Sequence, residues 1–342
     1  MAKSVHSGIA VSDFAVEICE VSKTYRQRQR SESVKDVWRN LVRPQIREVK
    51  ALQEIDLQVP RGEIVAYAGP NGAGKSTTVK ILSGLLAADS GRVSVLGFDP
   101  TRDRVHYVSH IGVVFGQRTE LWTDHPVAAS YEWKRVVWDI PDERYHRMVG
   151  VAKELLGVGE FYHSLARELS LGQRMRADLG LALLHEPEIL FLDEATLGLD
   201  VLAKRTMLQF VRDLNRERGV TVMMTSHDMA ELEQLAGRIV IIDKGRIAFD
   251  GDFRRLRTEF GDRRRLVLET DSDTAPRLEG AALLQSEGPR HEYQFDAGSA
   301  RIPDLLDQAA RQGTLLDVET HRAPIDDVIA DIYASWQKSN SA

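Results

Sequence analysis

An α/β fold organised on a parallel sheet, with a helical insertion and a small C-terminal α+β domain, is what this sequence predicts. Three observations carry that expectation. The stretch Gly69-Pro-Asn-Gly-Ala-Gly-Lys-Ser-Thr77 sits between an apolar run, Glu63–Ala68, and a helix-like pattern, Thr77–Leu86. That is the strand, loop and helix context of a phosphate-binding loop. The run Glu188–Asp193 is almost continuously apolar and ends in adjacent carboxylates, Asp193 and Glu194, as strands buried on both faces of a parallel sheet do. Past about residue 259 the pattern changes to short alternating strands and two helical faces.

At 342 residues the chain has room for two domains with an ample core. Its 43% apolar and 28% charged residues suit a globular chain, and a net charge of −6 gives no global pull toward nucleic acid or anionic lipid. The single cysteine, Cys19, excludes an internal disulfide and fits a reducing compartment. The opening residues lack the apolar core of a signal peptide, and no window approaches the ~18 apolar residues of a membrane span. Any work at a membrane is expected to go through another chain.

Residues 1–14 read as an N-terminal arm. Ala15–Val21 alternates as a strand and leads to Tyr25, an aromatic that either packs in the core or stacks on a base ahead of the phosphate loop. Residues 26–50 are crowded with Arg and Lys against only Glu32, Asp36 and Glu48, and Val34, Val37, Trp38, Leu41 and Val42 recur at helical spacing. That predicts a basic amphipathic helix over about 31–48. It suits a membrane surface or a partner protein, or packs as a solvated insertion on its own domain. Ala51–Val59 is the next strand, and Pro60-Arg-Gly62 turns it toward the phosphate loop. Ser90–Gly97 and Ile111–Phe115 are further strands, the second followed by Gly116 and Gln117.

Residues 118–184 are helical in pattern, with Trp133, Val136 and Val137 marking one apolar face and Val151, Leu155 and Leu156 another. Leu169-Ser-Leu-Gly-Gln173 opens a helix over Arg174–Leu184, with Ser170 as N-cap. After Asp200 a helix runs from about Leu202 to Arg218 and stops at Gly219, and the strand Val220–Thr225 ends in Ser226-His227-Asp228. Ile239–Asp243 and Arg246–Phe249 make a hairpin turning at Lys244-Gly245. Residues 259–342 predict strand, strand, helix, strand, helix, with no catalytic constellation, and Arg263–Arg265 reads as a solvated charge run. His106, His146, His291 and His321 lack metal-ligand spacing.

The chemistry concentrates at the phosphate loop. Its glycines let backbone N–H groups point inward around phosphate oxygens, and the following helix N-terminus adds positive dipole. Lys75 is placed to reach the β- and γ-phosphates and Ser76 to hold Mg²⁺.

Phosphate loop, Gln117, Leu169–Gln173, Leu192-Asp-Glu194 and His227 stand in a fixed order. In that order the chain resembles the ATP-binding cassette (ABC) family over about residues 15–250. Leu169-Ser-Leu-Gly-Gln173 is the discriminating piece, because many nucleotide hydrolases share the phosphate loop. The resemblance implies a P-loop NTPase, an ABC nucleotide-binding domain over 15–258. Within it lie the basic insertion at 26–50 and a helical subdomain at 118–184, and a C-terminal accessory α+β domain follows at 259–342. It implies ATP and Mg²⁺ as cofactors. Adenine would stack on Tyr25, the phosphates would rest on Gly69, Pro70, Asn71, Gly72, Ala73, Gly74, Lys75, Ser76 and Thr77, and Ser76, Gln117 and Asp193 would hold Mg²⁺. Glu194 is implied as the general base, with His227 and Gln117 completing the catalytic set. Ser170, Gly172, Gln173 and Asp200 are implied to serve the nucleotide of an opposite subunit, in a head-to-tail homodimer or heterodimer.

Carbohydrate, drug and lipid-linked exporters are the branch the chain resembles most. That implies ATP hydrolysis to ADP and phosphate coupled to export through separate transmembrane permease subunits. The chain would then be peripheral on the cytoplasmic side of the cell membrane, without a nucleic-acid partner. The alternative is a soluble regulatory or mechanical ABC ATPase uncoupled from transport; such proteins commonly carry paired cassettes or a long coiled coil, and neither shows in this sequence. The chain departs from the family pattern at three places. One extra residue precedes Gln117. Leu197 stands where a small hydroxyl residue is usual, which removes a donor for a cross-subunit hydrogen bond. The basic stretch is similar to an insertion in some exporter ATPases.

Overall fold

The computed structural model describes residues 13–28, 46–226, 228–260 and 263–322, together with 325, 328, 329 and 332. It divides into two compact units, residues 1–227 with 234–250, and residues 228–233 with 251–342. Residues 251–258 therefore fall in the second unit, ahead of the change of sequence pattern near Phe260.

The first unit opens as a hairpin. β1 (Phe14–Arg28) pairs antiparallel with β2 (Ile46–Pro60), from Phe14 opposite Pro60 to Arg28 opposite Ile46. Both arms run into the segment expected to be a basic helix, so 26–28 and 46–50 are strand. Continuous backbone pairing across the ladder is the physical reason. Arg26 stands opposite Glu48, its Nε 3.2 Å from the carboxylate, so this acid neutralises an arginine across strands and not along a helix face. The rest of that expected helix, and the N-terminal arm up to residue 12, lie outside the described residues.

β3 (Ile64–Ala68) enters the phosphate loop and α1 (Lys75–Leu82) leaves it. β4 (Ser90–Val95) completes an antiparallel sheet ordered β2-β1-β4. β5 (Ile111–Phe115) precedes the helical section, α2 (Val127–Val137), α3 (Asp142–Leu155) and α4 (Leu171–Leu183). Then come β6 (Ile189–Asp193), α5 (Val201–Arg218), β7 (Thr221–Thr225), α6 (Met229–Leu235), β8 (Arg238–Asp243) and β9 (Arg246–Asp252). The second sheet is ordered β5-β6-β7-β3-β8-β9, with parallel pairing from β5 through β8. β9 returns through Lys244 and Gly245, whose φ of 46° and 78° fit a two-residue hairpin turn. β6 and β7 are buried at every position, which explains sequences that do not alternate. Register places Phe115 beside Asp193 and Asp193 beside Thr225, so the carboxyl ends of three strands finish level. Ligands in open α/β sheets bind at that edge.

α4 begins at Leu171, earlier than the sequence suggests, because Ser170 and Gln173 form a capping box. Gln173 N donates to Ser170 Oγ at 3.2 Å and Ser170 N to Gln173 Oε1 at 2.9 Å. The buried face of α2 also differs from the expected one. Val127, Ser130, Tyr131 and Lys134 face inward, leaving Trp133 (41% exposed), Val136 and Val137 outside. Tyr131 sets that face. Its hydroxyl donates to Ala177 O of α4 at 2.8 Å, and it occupies space that Gly180 leaves free, since a Cβ there would stand 2.3 Å from Tyr131 Oη.

In the second unit Arg257, on α7 (Phe253–Phe260), forks onto Glu233 at 2.8 Å. β10 (Arg263–Thr270), β11 (Ala281–Glu287), β12 (Arg290–Asp296) and β13 (Leu315–Arg322) form an antiparallel sheet ordered β11-β12-β10-β13. α8 (Ile302–Ala310) joins its core through Leu305 and Ala309, against Leu266, Leu268, Tyr293 and Phe295. β11 is a strand that the sequence order did not include. It lies at the sheet edge and is exposed along almost its whole length, so no apolar alternation marks it. Ile325, Val328, Ile329 and Ile332 are helical and buried, and the other residues of the last expected helix lie outside the described residues. Among the described residues no helix is long and apolar enough to cross a membrane.

Gly180→Ala is expected to lower stability by about 1–3 kcal/mol through overpacking, despite alanine's better helix propensity. Adding Tyr131→Phe removes the crowding oxygen and should recover part of the loss. Urea unfolding of both variants checks this.

Candidate active site

After Ala68 the chain bends through Gly69–Gly74 before α1 begins. Glycine is required at both ends of the bend. A Cβ on Gly69 would stand 2.3 Å from Ile242 O, and Gly74, at φ 120°, would bring one to 2.6 Å from Ala51 O. Neighbouring elements brace the loop: Gly245 N donates to Ala73 O at 2.9 Å, and Gln53 N to Gly245 O at 2.8 Å. α1 has no side-chain N-cap and no acid in its first turn, so no carboxylate of its own competes for its positive end. Lys75 is buried and folds back on the loop, its Nζ donating to Gly69 O at 2.7 Å and Pro70 O at 3.3 Å. Burial pulls its pKa below the usual lysine value, while the carboxylates of Glu194 and Asp193 act the other way. Tyr25, on β1, is half-buried, and its hydroxyl lies 3.5 Å from Thr77 Oγ1 beside the first turn of α1.

Asp193 ends β6 and is 7% exposed. Its Oδ1 accepts from Thr225 Oγ1 at 2.7 Å and from Ser76 Oγ at 3.2 Å. Thr225 also fixes the next residue: Glu194 N donates to Thr225 Oγ1 at 3.0 Å and to Thr225 O at 3.1 Å. Glu194 takes φ 55°, a left-handed conformation costing a side-chain-bearing residue about 1–2 kcal/mol. Gly116 accommodates that turn. Its N donates to Asp193 O at 2.8 Å, and a Cβ on it would meet Glu194 O at 2.2 Å. Gln117 follows, and with Ser76, Asp193 and Glu194 it lines a cavity of about 210 Å³. A larger groove beside β4, about 980 Å³, holds none of these residues, so chemistry and not volume identifies the site.

Ser170 caps α4, and Asp200 caps α5 by accepting from Ala203 N at 2.8 Å. Their loops lie against each other: a Cβ on Gly172 would be 3.3 Å from Leu199 Cδ2, and one on Gly198 would meet Leu171 Cδ2 at 2.2 Å. None of Ser170, Gly172, Gln173 and Asp200 lines the cavity. Leu197 is partly exposed. His227 lies outside the described residues. The sequence marks Thr225 only as the end of a strand and Gly116 only as the residue between a strand and Gln117. For Thr225 the available signal was a hydroxyl closing an otherwise apolar strand.

A family profile described as ABC transporter matches residues 52–197. The daunorubicin resistance ATP-binding protein DrrA3 of Streptomyces coeruleorubidus is 36% identical over 259 residues, covering 75% of this chain and 80% of that protein. The methionine import ATP-binding protein MetN of Pasteurella multocida (strain Pm70) is 32% identical over 209 residues, and the match spans 60% of each chain. A solved ATP-binding cassette, a dimer in a post-hydrolysis state bound to ADP and Pi, superposes with TM-score 0.58 at 24% identity, over 70% of this chain and 99% of that one. A second structure, an ATP-binding subunit of an ABC transporter, gives TM-score 0.60 at 22% identity, over 72% and 93%. These two likenesses establish the fold.

Thr225→Val is expected to leave Asp193 Oδ1 short of a donor, at a cost of about 1–3 kcal/mol, and Thr225→Ser to restore most of it. Thermal unfolding of the two variants measures the difference.

Proposed function

This chain belongs to the ABC transporter family of ATP-binding proteins, and we propose on that footing that it is the ATP-hydrolysing subunit of an exporter. It works as one of a pair of cassettes beneath separate transmembrane permease chains, peripheral on the cytoplasmic face of the membrane. The observation carrying this reading is the approach of Ser76 Oγ to Asp193 Oδ1, 3.2 Å, at the start of α1 and in one cavity with Glu194. A phosphate cradle, hard oxygen donors and a second carboxylate are the parts that nucleotide hydrolysis needs.

The phosphates rest on the backbone N–H groups of the loop between β3 and α1, with adenine against Tyr25. Lys75 exchanges the carbonyls of Gly69 and Pro70 for β- and γ-phosphate oxygens. Mg²⁺ suits the donors present, since the hydroxyl of Ser76, the carboxylate of Asp193 and the amide carbonyl of Gln117 are the hard oxygens it takes. When bound, it neutralises charge on the phosphate oxygens. Glu194 accepts the proton of the attacking water, and because Thr225 fixes its main chain, the carboxylate has little to reorganise. His227 and Gln117 orient that water. Ser170, Gly172, Gln173 and Asp200 serve the nucleotide of the opposite cassette, where two helix N-termini suit a γ-phosphate. Trp122 and Trp133, exposed and with ring centroids 5.3 Å apart, face the permease.

The higher identity to the daunorubicin resistance relative, 36% against 32% for the methionine import relative, supports export over import. ATP-driven uptake into inverted vesicles carrying the co-purified membrane chains is the expected result. Release from those vesicles indicates import, and failure of any membrane chain to co-purify indicates a soluble ATPase. Glu194→Gln should keep ATP affinity within about twofold while lowering kcat by roughly 10²–10⁴-fold. Undiminished turnover contradicts the assignment of the base.

A further inference from the structure

The segment that follows Gln117 is fastened to two different helices. Asp178, buried on α4, accepts at one oxygen, Oδ1, from Thr119 Oγ1 at 2.9 Å and from Glu120 N at 3.0 Å. Thr119 Oγ1 in turn accepts from Leu121 N at 3.0 Å. The second fastening comes from α2. Lys134 Nζ, itself buried, lies 3.1 Å from Glu120 Oε2, and Ser130 Oγ accepts from Trp122 N at 2.9 Å. A carboxyl group on the inward face of a helix is costly to bury. Burial pushes Asp178 up to about 7, far above the usual carboxylate range, while the hydrogen bonds from Thr119 and Glu120 N pull the other way. An apolar side chain would pack there without that cost. What the carboxyl supplies in exchange is a pair of hydrogen bonds to the loop.

Asp178 lies about two turns along the same helix from Ser170, and α4 is a continuous rod from Leu171 to Leu183. We propose that Asp178 is a positioning residue that ties the Gln117 segment to α4, so that displacement of α4 against a partner's nucleotide is delivered to Gln117 in its own site. This rests on the ATPase reading above. Coupling of this kind needs a contiguous mechanical link. Here it runs from Ser170 down α4 to Asp178 Oδ1, across to Thr119 and Glu120, and back along the chain to Gln117.

The test uses the full chain. Asp178→Ala removes the acceptor and should lower kcat about tenfold or more, because small misplacement of a reacting group is kinetically large. Binding of a fluorescent ATP analogue with Mg²⁺ should stay within about twofold, since the phosphate loop is untouched. Asp178→Asn keeps an acceptor oxygen and resembles the neutral acid, so it should retain most of kcat. Thr119→Val removes one of the bonds from the loop side and tests the same link if the Asp178→Ala chain does not fold. Its loss should be intermediate, and combining it with Asp178→Ala should add little. Full kcat in Asp178→Ala, equal losses in the Asn and Ala variants, or additive losses in the pair overturn the proposal. Glu194→Gln run in parallel separates the two readings. If it is inactive while Asp178→Ala runs at full rate, only the positioning role fails; if it hydrolyses normally, the ATPase reading fails first.

Discussion

One carboxylate oxygen, Asp193 Oδ1, is shared by hydroxyls from two other elements, Ser76 at the start of α1 and Thr225 at the end of β7. The rest of the site depends on it. A carboxylate this deeply buried without partners is strongly destabilising, so the sheet must bring donors to it. Parallel register does so, setting Phe115, Asp193 and Thr225 side by side on β5, β6 and β7. Thr225 then holds Glu194 N as well. Gly116 has no side chain and leaves room for the left-handed turn at Glu194. Gly116, Asp193, Glu194 and Thr225 therefore interlock, and substitution at any of them moves the others.

The unit divides its labour between a stiff part and an appended part. The parallel sheet fixes the phosphate loop and both carboxylates through backbone ladders and buried strands. The helical section carries Ser170 and the fastenings of the Gln117 segment, held together by Tyr131 between α2 and α4. Ser170 and Asp200 each satisfy the N-terminus of their own helix.

Much of this was legible in the sequence, for physical reasons. The phosphate loop is contiguous, and only glycine fits at Gly69 and Gly74. β6 and β7 are buried on both faces, so their apolar runs stand out, and Ser170 is recognisable locally as an N-cap. What escaped detection was non-local or edge structure. Arg26 and Glu48 are far apart in the chain and meet only across a ladder, so the end of the expected basic helix, 46–48, is strand. β11 is exposed along an edge and leaves no periodicity. The Trp133 face of α2 is apolar yet turned outward, because Tyr131 and its partner Gly180 decide which face is buried. Thr225 acts through register with Asp193, which composition does not reveal.

The most direct measurement is anomalous scattering from crystals of the Glu194→Gln chain grown with ATP and Mn²⁺ in place of Mg²⁺. A metal peak joining Ser76 Oγ, the Asp193 carboxylate and the nucleotide's β- and γ-phosphates is the expected result. An ordered nucleotide on the phosphate loop with its metal elsewhere, or a nucleotide bound away from that loop, would contradict the role given to the Asp193 carboxylate.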